Sequence, residues 1–304
     1  MADLKIDYCG IEFKNPIVTA SGTFGFGEEY GEYADLSEYG GIGTKGLTRH
    51  SRAGNKAPRI AETPSGILNS VGLQNPGVEH FASDIMPELA KIDTHIVANM
   101  SGNTIEEYCE MAEILCGTDA AIIEMNISCP NVKHGGLAFG TDPHTVLELT
   151  TEVKKHCSKP LVVKLSPNVT SITDIAKAAE AGGADGLSLI NTLLGMKIDI
   201  NTRRPILANN MGGLSGPAVM PVAVRMVHQV YNAVKIPLIG MGGVMSGPDV
   251  LEFMIAGARL VALGTGMFVK PDLILDVKKE ISEYMDRFGI KKIEDIVGTL
   301  QLNG

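Results

Sequence analysis

The chain has 304 residues and a net charge of −9, from 26 lysines and arginines against 35 acidic side chains, with no basic run, so a nucleic-acid backbone is excluded as an expected partner. Apolar residues make up 44% of the sequence and charged residues 20%, a balance that excludes a disordered protein and supplies a sizeable core. No apolar run approaches the roughly 20 residues needed to cross a bilayer, and the first residues, Met-Ala-Asp-Leu-Lys-Ile-Asp-Tyr, contain no signal-like apolar region, so a cytoplasmic protein is expected.

In chain order, residues 4 to 13 suggest a short hairpin. Eight β-branched or apolar runs follow: Pro16–Ala20, Gly41–Lys45, His95–Met100, Ala121–Asn126, Leu161–Leu165, Gly186–Asn191, Ile236–Met241 and Leu260–Gly264. Most carry apolar residues at successive positions, the pattern of parallel strands covered on both faces. Between the second and third runs, Val78, Phe81, Ala82, Ile85 and Leu89 form a stripe at helical spacing. Thr104 with Glu107, Ser171 with Asp174 and Ser246 with Asp249 each place a capping hydroxyl three residues before a carboxylate.

Eight such units predict an α/β protein of the (β/α)₈ TIM-barrel class, one domain over residues 1–304. A doubly wound open sheet would place its glycine fingerprint after the first strand, whereas here the densest glycine signals follow strands seven and eight. Residues 48–75 and 192–215 are long connections rich in Gly, Pro and Asn, and loops of that length are expected to be lids or binding loops.

In such a barrel the chemistry sits at the C-terminal strand ends. The second strand ends at Lys45-Gly46, the third at Asn99, the fourth at Asn126 before Cys129, the fifth at Lys164 and the sixth at Asn191-Thr192. Strands seven and eight end in Ile-Gly-Met-Gly-Gly-Val (239–244) and Leu-Gly-Thr-Gly-Met-Phe (263–268), a paired glycine turn suited to a phosphate of a substrate or a cofactor. Two lysines in one polar mouth favour a ligand that carries or develops negative charge, the alternative being an ion pair with a barrel glutamate such as Glu124.

Asn69, Asn126 and Asn191, with Thr192, supply donors and acceptors for a planar ligand with ring amides and a carboxylate. The five cysteines, at 9, 109, 116, 129 and 157, have no C-x-x-C spacing and an odd count, which argues against a disulfide framework, zinc site or iron–sulfur cluster. Cys129 stands on a short loop beyond a strand end, among Asn126, Ser128 and Asn131, in the position of a general base or nucleophile. The other four fall on the hairpin or on helices and are expected to be packing residues.

Ala-Ser-Gly at 20–22, Thr-Lys-Gly at 44–46, Asn-Ser-Val-Gly-Leu at 69–73 and Asn-Ile-Ser-Cys-Pro-Asn at 126–131 resemble dihydroorotate dehydrogenases over nearly the whole chain. Gly-Met-Lys-Ile-Asp at 195–199, Thr-Arg-Arg-Pro at 202–205 and Gly-Gly-Leu-Ser-Gly-Pro-Ala at 212–218 narrow the resemblance to the NAD-linked, two-subunit class 1B enzymes. The resemblance implies an FMN-dependent barrel that oxidises dihydroorotate to orotate in pyrimidine synthesis. It implies FMN contacts at Ser21, Lys45, Gly46, Asn99, Asn126, Lys164, Ile190, Gly216, Gly242, Gly243, Gly264 and Thr265. Substrate contacts are implied at Lys45, Asn69, Ser70, Val71, Gly72, Leu73, Asn126, Asn191 and Thr192.

By the same resemblance, Cys129 removes the C5 proton while C6 delivers a hydride to the flavin, and Lys164 stabilises the charge that develops there. A partner subunit with FAD and a [2Fe–2S] cluster is implied, in a heterotetramer of two plus two chains that includes a pair of catalytic chains. The alternatives are a fumarate-linked class 1A enzyme and the barrel of dihydropyrimidine dehydrogenase, which usually has His where Asn131 stands and carries iron–sulfur motifs. A dihydrouridine synthase would be expected to show a basic RNA-binding face, and a non-catalytic barrel to have lost Cys129 or Lys164.

Overall fold

The computed structural model describes residues 3–128 and 139–303. Each of the eight apolar runs contains one strand of a closed parallel barrel: β1 (Ile17–Thr19), β2 (Gly41–Gly43), β3 (His95–Met100), β4 (Ile122–Asn126), β5 (Leu161–Lys164), β6 (Gly186–Leu189), β7 (Leu238–Met241) and β8 (Leu260–Leu263). The barrel is the expected TIM-barrel fold. Strand register pairs Asn99 with Glu124 and Asn126 with Lys164, and Lys164 with Ser188, so the polar residues at neighbouring strand ends arrive at the same height.

Helices cover the barrel: α1 (residues 78–89), α2 (Ile105–Cys116), α3 (Pro143–Lys155), α4 (Ile172–Ala181), α5 (Met220–Tyr231), α6 (Gly247–Ala256) and α7 (Leu273–Phe288). All three capping signals operate. Thr104, Ser171 and Ser246 accept from the backbone N–H of Glu107, Asp174 and Asp249 at 3.2, 3.4 and 3.4 Å. Glu107 and Asp249 then reach back to the N–H before the cap, on Asn103 and Met245, at 2.7 and 2.8 Å, so each of those helix starts is tied twice.

The stripe in α1 is partly displaced. Residues Phe81–Ile85 form a π-turn, so Met86 is buried with Val78, Phe81 and Leu89, while Ala82 and Ile85 are only half-buried. Pro87 follows at once, and its missing N–H leaves a helical bond unmade, a common setting for such a distortion.

The N-terminal hairpin pairs Ile6–Tyr8 with Ile11–Phe13 through Cys9 and Gly10, both at positive φ (53° and 77°), the signature of a type I′ turn. Tyr8 and Phe13 are fully buried against the N-terminal ends of the barrel strands: the Tyr8 hydroxyl donates to the Leu187 carbonyl at 3.2 Å, and Phe13 packs edge-on to His95 at 4.8 Å. The hairpin therefore stops the end of the barrel opposite the polar strand ends.

The long connections are more ordered than loops. Strands Ile60–Thr63 and Gly66–Asn69 from one, and Leu193–Gly195 and Gly212–Ser215 from the other, form a four-stranded antiparallel sheet. Its central pairing, Leu68 with Leu214, joins the two connections across the intervening barrel strands. Leu68, Ala61 and Leu207 make a small core of their own there.

Of the cysteines expected to be packing residues, Cys9 is half-buried, with its thiol raised to about 12 chiefly by burial. Cys116, at the end of α2, and Cys157, just past α3, are more than packing neighbours: their sulfurs lie 3.6 Å apart, both as free thiols. Among the described residues no helix is long and apolar enough to cross a membrane.

The Thr104 cap has a measurable worth. Thr104→Ala should destabilise the chain by about 1 kcal/mol and lower Tm by about 2 °C in calorimetry; an unchanged Tm would show that the Glu107 contact alone holds the start of α2.

Candidate functional site

The C-terminal ends of the barrel strands and the four-stranded sheet enclose a cleft of about 690 Å³. Its floor and walls collect Ser21, Lys45, Gly46, Asn99, Asn126, Lys164, Ile190, Asn191 and Thr192 from the strand ends. The sheet-bearing connections add Asn69, Ser70, Val71, Gly72, Leu73 and Gly216, and the last two strands add Gly242, Gly243, Gly264 and Thr265. All the residues singled out from the sequence therefore meet in one place, except Cys129, which with Asn131 lies outside the described residues. Ser128, the residue before it, lines the cleft.

Lys164 is 5% exposed; its ammonium donates to Ser21 Oγ at 3.3 Å and lies 3.8 Å from Glu124 Oε2. The two alternatives for this lysine thus coexist, since it faces the cleft and also has a glutamate behind it. Lys45 differs: among the described residues it has no carboxylate partner, and burial, followed by the nearby Arg59 charge, lowers its pKa below the ordinary 10.5. A half-buried cation at the cleft wall without a carboxylate partner among the described residues gains from an anion placed beside it.

The amide side chains are oriented by their neighbours. Asn126 Oδ1 accepts from Ser128 N at 3.1 Å and from Asn191 Nδ2 at 3.3 Å, which turns the Asn126 NH₂ away as a donor. Asn191 Nδ2 also donates to Ser128 Oγ at 2.9 Å, while its oxygen accepts from Thr192 N at 2.8 Å. Asn69 donates to the Gly213 carbonyl at 3.3 Å, keeping its own oxygen as an acceptor. Below them the Asn126 carbonyl accepts from Tyr108 Oη at 2.6 Å and Ser101 Oγ at 3.2 Å, so the end of β4 is pinned from beneath.

Asn99 is fully buried and donates through Nδ2 to Glu124 Oε2 at 2.6 Å; among the described residues its Oδ1 has no partner. That oxygen sits beside Gly46, where a Cβ would come within 2.8 Å of it. The glycine turns are equally tight. Gly243 has φ of 88°, and a Cβ on it would lie 2.7 Å from Met220 Cβ and 2.9 Å from the Gly216 carbonyl, so backbone of two connections converges there with no room for a side chain. Thr265 Oγ1 donates to Ser215 Oγ at 2.8 Å, tying the same corner to the sheet.

Leu73 is held at φ 52°, a conformation that L-residues other than Asn and Asp seldom adopt, and it lines the cleft next to Gly72. Sequence inspection missed Arg52, Asn55 and Asn209, which also line the cleft. They lie in the connections at no regular spacing, and only the folding of those connections over the barrel brings them in.

A family model for dihydroorotate dehydrogenase matches residues 3–285. The chain belongs to the dihydroorotate dehydrogenase family. Among dihydroorotate dehydrogenases it is 56% identical to a protein of Alkaliphilus metalliredigens over 298 residues, covering 98% of this chain and 99% of the relative. It is 52% identical to one of Bacteroides fragilis, covering 99% and 100%, and 51% identical to one of Geobacter sp., covering 99% of both. Each of these relatives is named dihydroorotate dehydrogenase B (NAD(+)), catalytic subunit. Of the motifs quoted from the sequence, those at 20–22, 44–46, 69–73 and 212–218 and the described start of 126–131 contribute residues to the cleft, whereas those at 195–199 and 202–205 do not line it.

The unpaired Lys45 sets a pH signature for the ligand-free chain. A lysine whose folded-state pKa is lowered costs stability below that lowered value, and the cost fades as pH rises from it to 10.5. Lys45→Met should therefore stabilise the ligand-free chain near pH 7, with the gain shrinking toward pH 10. Denaturant titrations across that range measure it, and a gain independent of pH would refute the electrostatic origin.

Proposed function

We propose that this chain is the catalytic subunit of an NAD-linked dihydroorotate dehydrogenase, a single FMN-binding barrel domain over residues 1–304 that oxidises dihydroorotate to orotate in de novo pyrimidine synthesis. The observation that carries the proposal is the meeting of Lys45, Lys164, Asn69, Asn126 and Asn191 in one cleft whose wall runs directly to Ser128. The near-complete coverage by relatives bearing that name supports the same assignment.

The residues of the cleft suit FMN. The orphan oxygen of Asn99 calls for a donor, and the ring imide N–H of a flavin is one; the converging glycine backbone beside Gly243 suits a phosphate; Lys45 suits an electron-rich ring or an anion. Ser21, Lys45, Gly46, Asn99, Asn126, Lys164 and Ile190 would hold the ring and ribityl chain, and Gly216, Gly242, Gly243, Gly264 and Thr265 the phosphate. When bound, FMN supplies the two-electron acceptor for the C6–H bond of the substrate.

The chain's own residues do the rest. Asn69, Asn126, Asn191 and Thr192 grip the ring amides and carboxylate of dihydroorotate, with the acceptor of Asn69 and the donor of Asn126 held by their neighbours before the substrate arrives. Ser70, Val71, Gly72 and Leu73 close over it and exclude water. Lys45 balances the substrate carboxylate, and Lys164 supplies positive charge where electrons accumulate. Cys129 takes the proton from C5, and its thiol must ionise to do so.

The proposal includes a partner subunit with FAD and a [2Fe–2S] cluster that passes electrons to NAD, in a cytoplasmic heterotetramer of two catalytic and two electron-transfer chains. Two experiments test it. Cys129→Ala should keep its bound yellow flavin while reduction by dihydroorotate slows by about 10²–10⁴-fold in stopped flow; reduction at the wild-type rate would remove Cys129 as the base. Assayed with NAD, fumarate and quinone, the chain should use NAD only when its partner is present, whereas fumarate turnover by the chain alone would make it a class 1A enzyme.

A further inference from the structure

We propose that Glu124, which does not line the cleft, is the positioning residue of its floor, holding Asn99 and Lys164 in place and setting the charge they present. This rests on the assignment of FMN to the cleft.

Glu124 is 4% exposed and sits in the middle of β4 behind the residues that line the cleft. Its two oxygens face in two directions. Oε1 accepts from Ser188 Oγ on β6 at 2.6 Å, and Oε2 accepts from Asn99 Nδ2 on β3 at 2.6 Å with the Lys164 ammonium of β5 at 3.8 Å. One side chain therefore ties three neighbouring strands together inside the barrel.

A carboxylate only accepts, so the Asn99 NH₂ must face it and the Asn99 oxygen is left turned away beside Gly46 as an acceptor. The same carboxylate lies against the Lys164 ammonium, whereas Lys45 has no carboxylate partner among the described residues. A buried carboxylate in contact with a functional lysine costs desolvation that a neutral residue would not. The price is explicable if the floor has to be close to neutral beneath a ring that gains electrons: too much positive charge would trap them, and too little would refuse them.

The test is the reduction potential of bound FMN, measured by dye equilibration in the absence of substrate. Glu124→Gln keeps the shape and removes the charge, and should favour reduction at least tenfold, a rise of about 30 mV for a two-electron couple. Lys164→Met should shift the potential in the opposite direction, and the Glu124→Gln, Lys164→Met double variant should return to within threefold of wild type. Potentials that shift in the same direction in both single variants, or a Glu124→Gln value equal to wild type, would overturn the proposal.

The double variant removes both charges together, a change that buried pairs tolerate better than loss of one partner. If the single variants do not fold, its potential alone decides, support requiring the same threefold agreement. Wild-type protein that binds no FMN would defeat the assignment of the cofactor itself; wild-type protein that binds FMN and oxidises dihydroorotate without these shifts in the variants would defeat only the role of Glu124.

Discussion

Parallel strands that close on themselves must all point their C-terminal ends at one rim, and everything at this site depends on that constraint. Closure also fixes register, because each strand is hydrogen-bonded on both sides. Asn99 is thereby level with Glu124, and Asn126 and Ser188 with Lys164. Side chains from β3, β4, β5 and β6 then come within bonding distance without any of them being near in sequence.

The two ends of the barrel are put to different uses. The hairpin fills the N-terminal end with Tyr8 and Phe13, apolar bodies fully buried, so that end is spent on stability. The other end is covered by a sheet assembled from two connections, which lets polar groups such as Asn69 and Thr192 face a cleft that is deep and yet reachable from solvent. Buried polar groups are costly unless paired, and among the described residues nearly all are paired; the Asn99 oxygen is an exception, on a residue that borders the cleft. An unmet acceptor in an otherwise satisfied network is the kind of defect that a ligand repairs.

Much of this was legible in the chain. The eight strands announce themselves because a strand covered on both faces must be apolar at consecutive positions, and the caps because a hydroxyl can serve the N–H three residues on only at a helix start. Strand-end polar residues could be named since the barrel puts them at one rim, and the family motifs named the rest. Cys129 was identified by motif and position alone.

What the sequence by itself determined is therefore periodic or local: strand and helix placement, a hairpin within residues 4–13, the residue types available at the rim, and membership of the family through motifs that span the chain. Only the tertiary structure decided that strands at 60–63, 66–69, 193–195 and 212–215 join in one sheet, that Met86 replaces Ile85 in the core, that Cys116 meets Cys157, and that Glu124 stands behind Lys164 and Asn99. The physical reason is the same in each case. Pairing between distant segments, and the distances between side chains on different strands, depend on closure and register, which no local pattern of residues encodes.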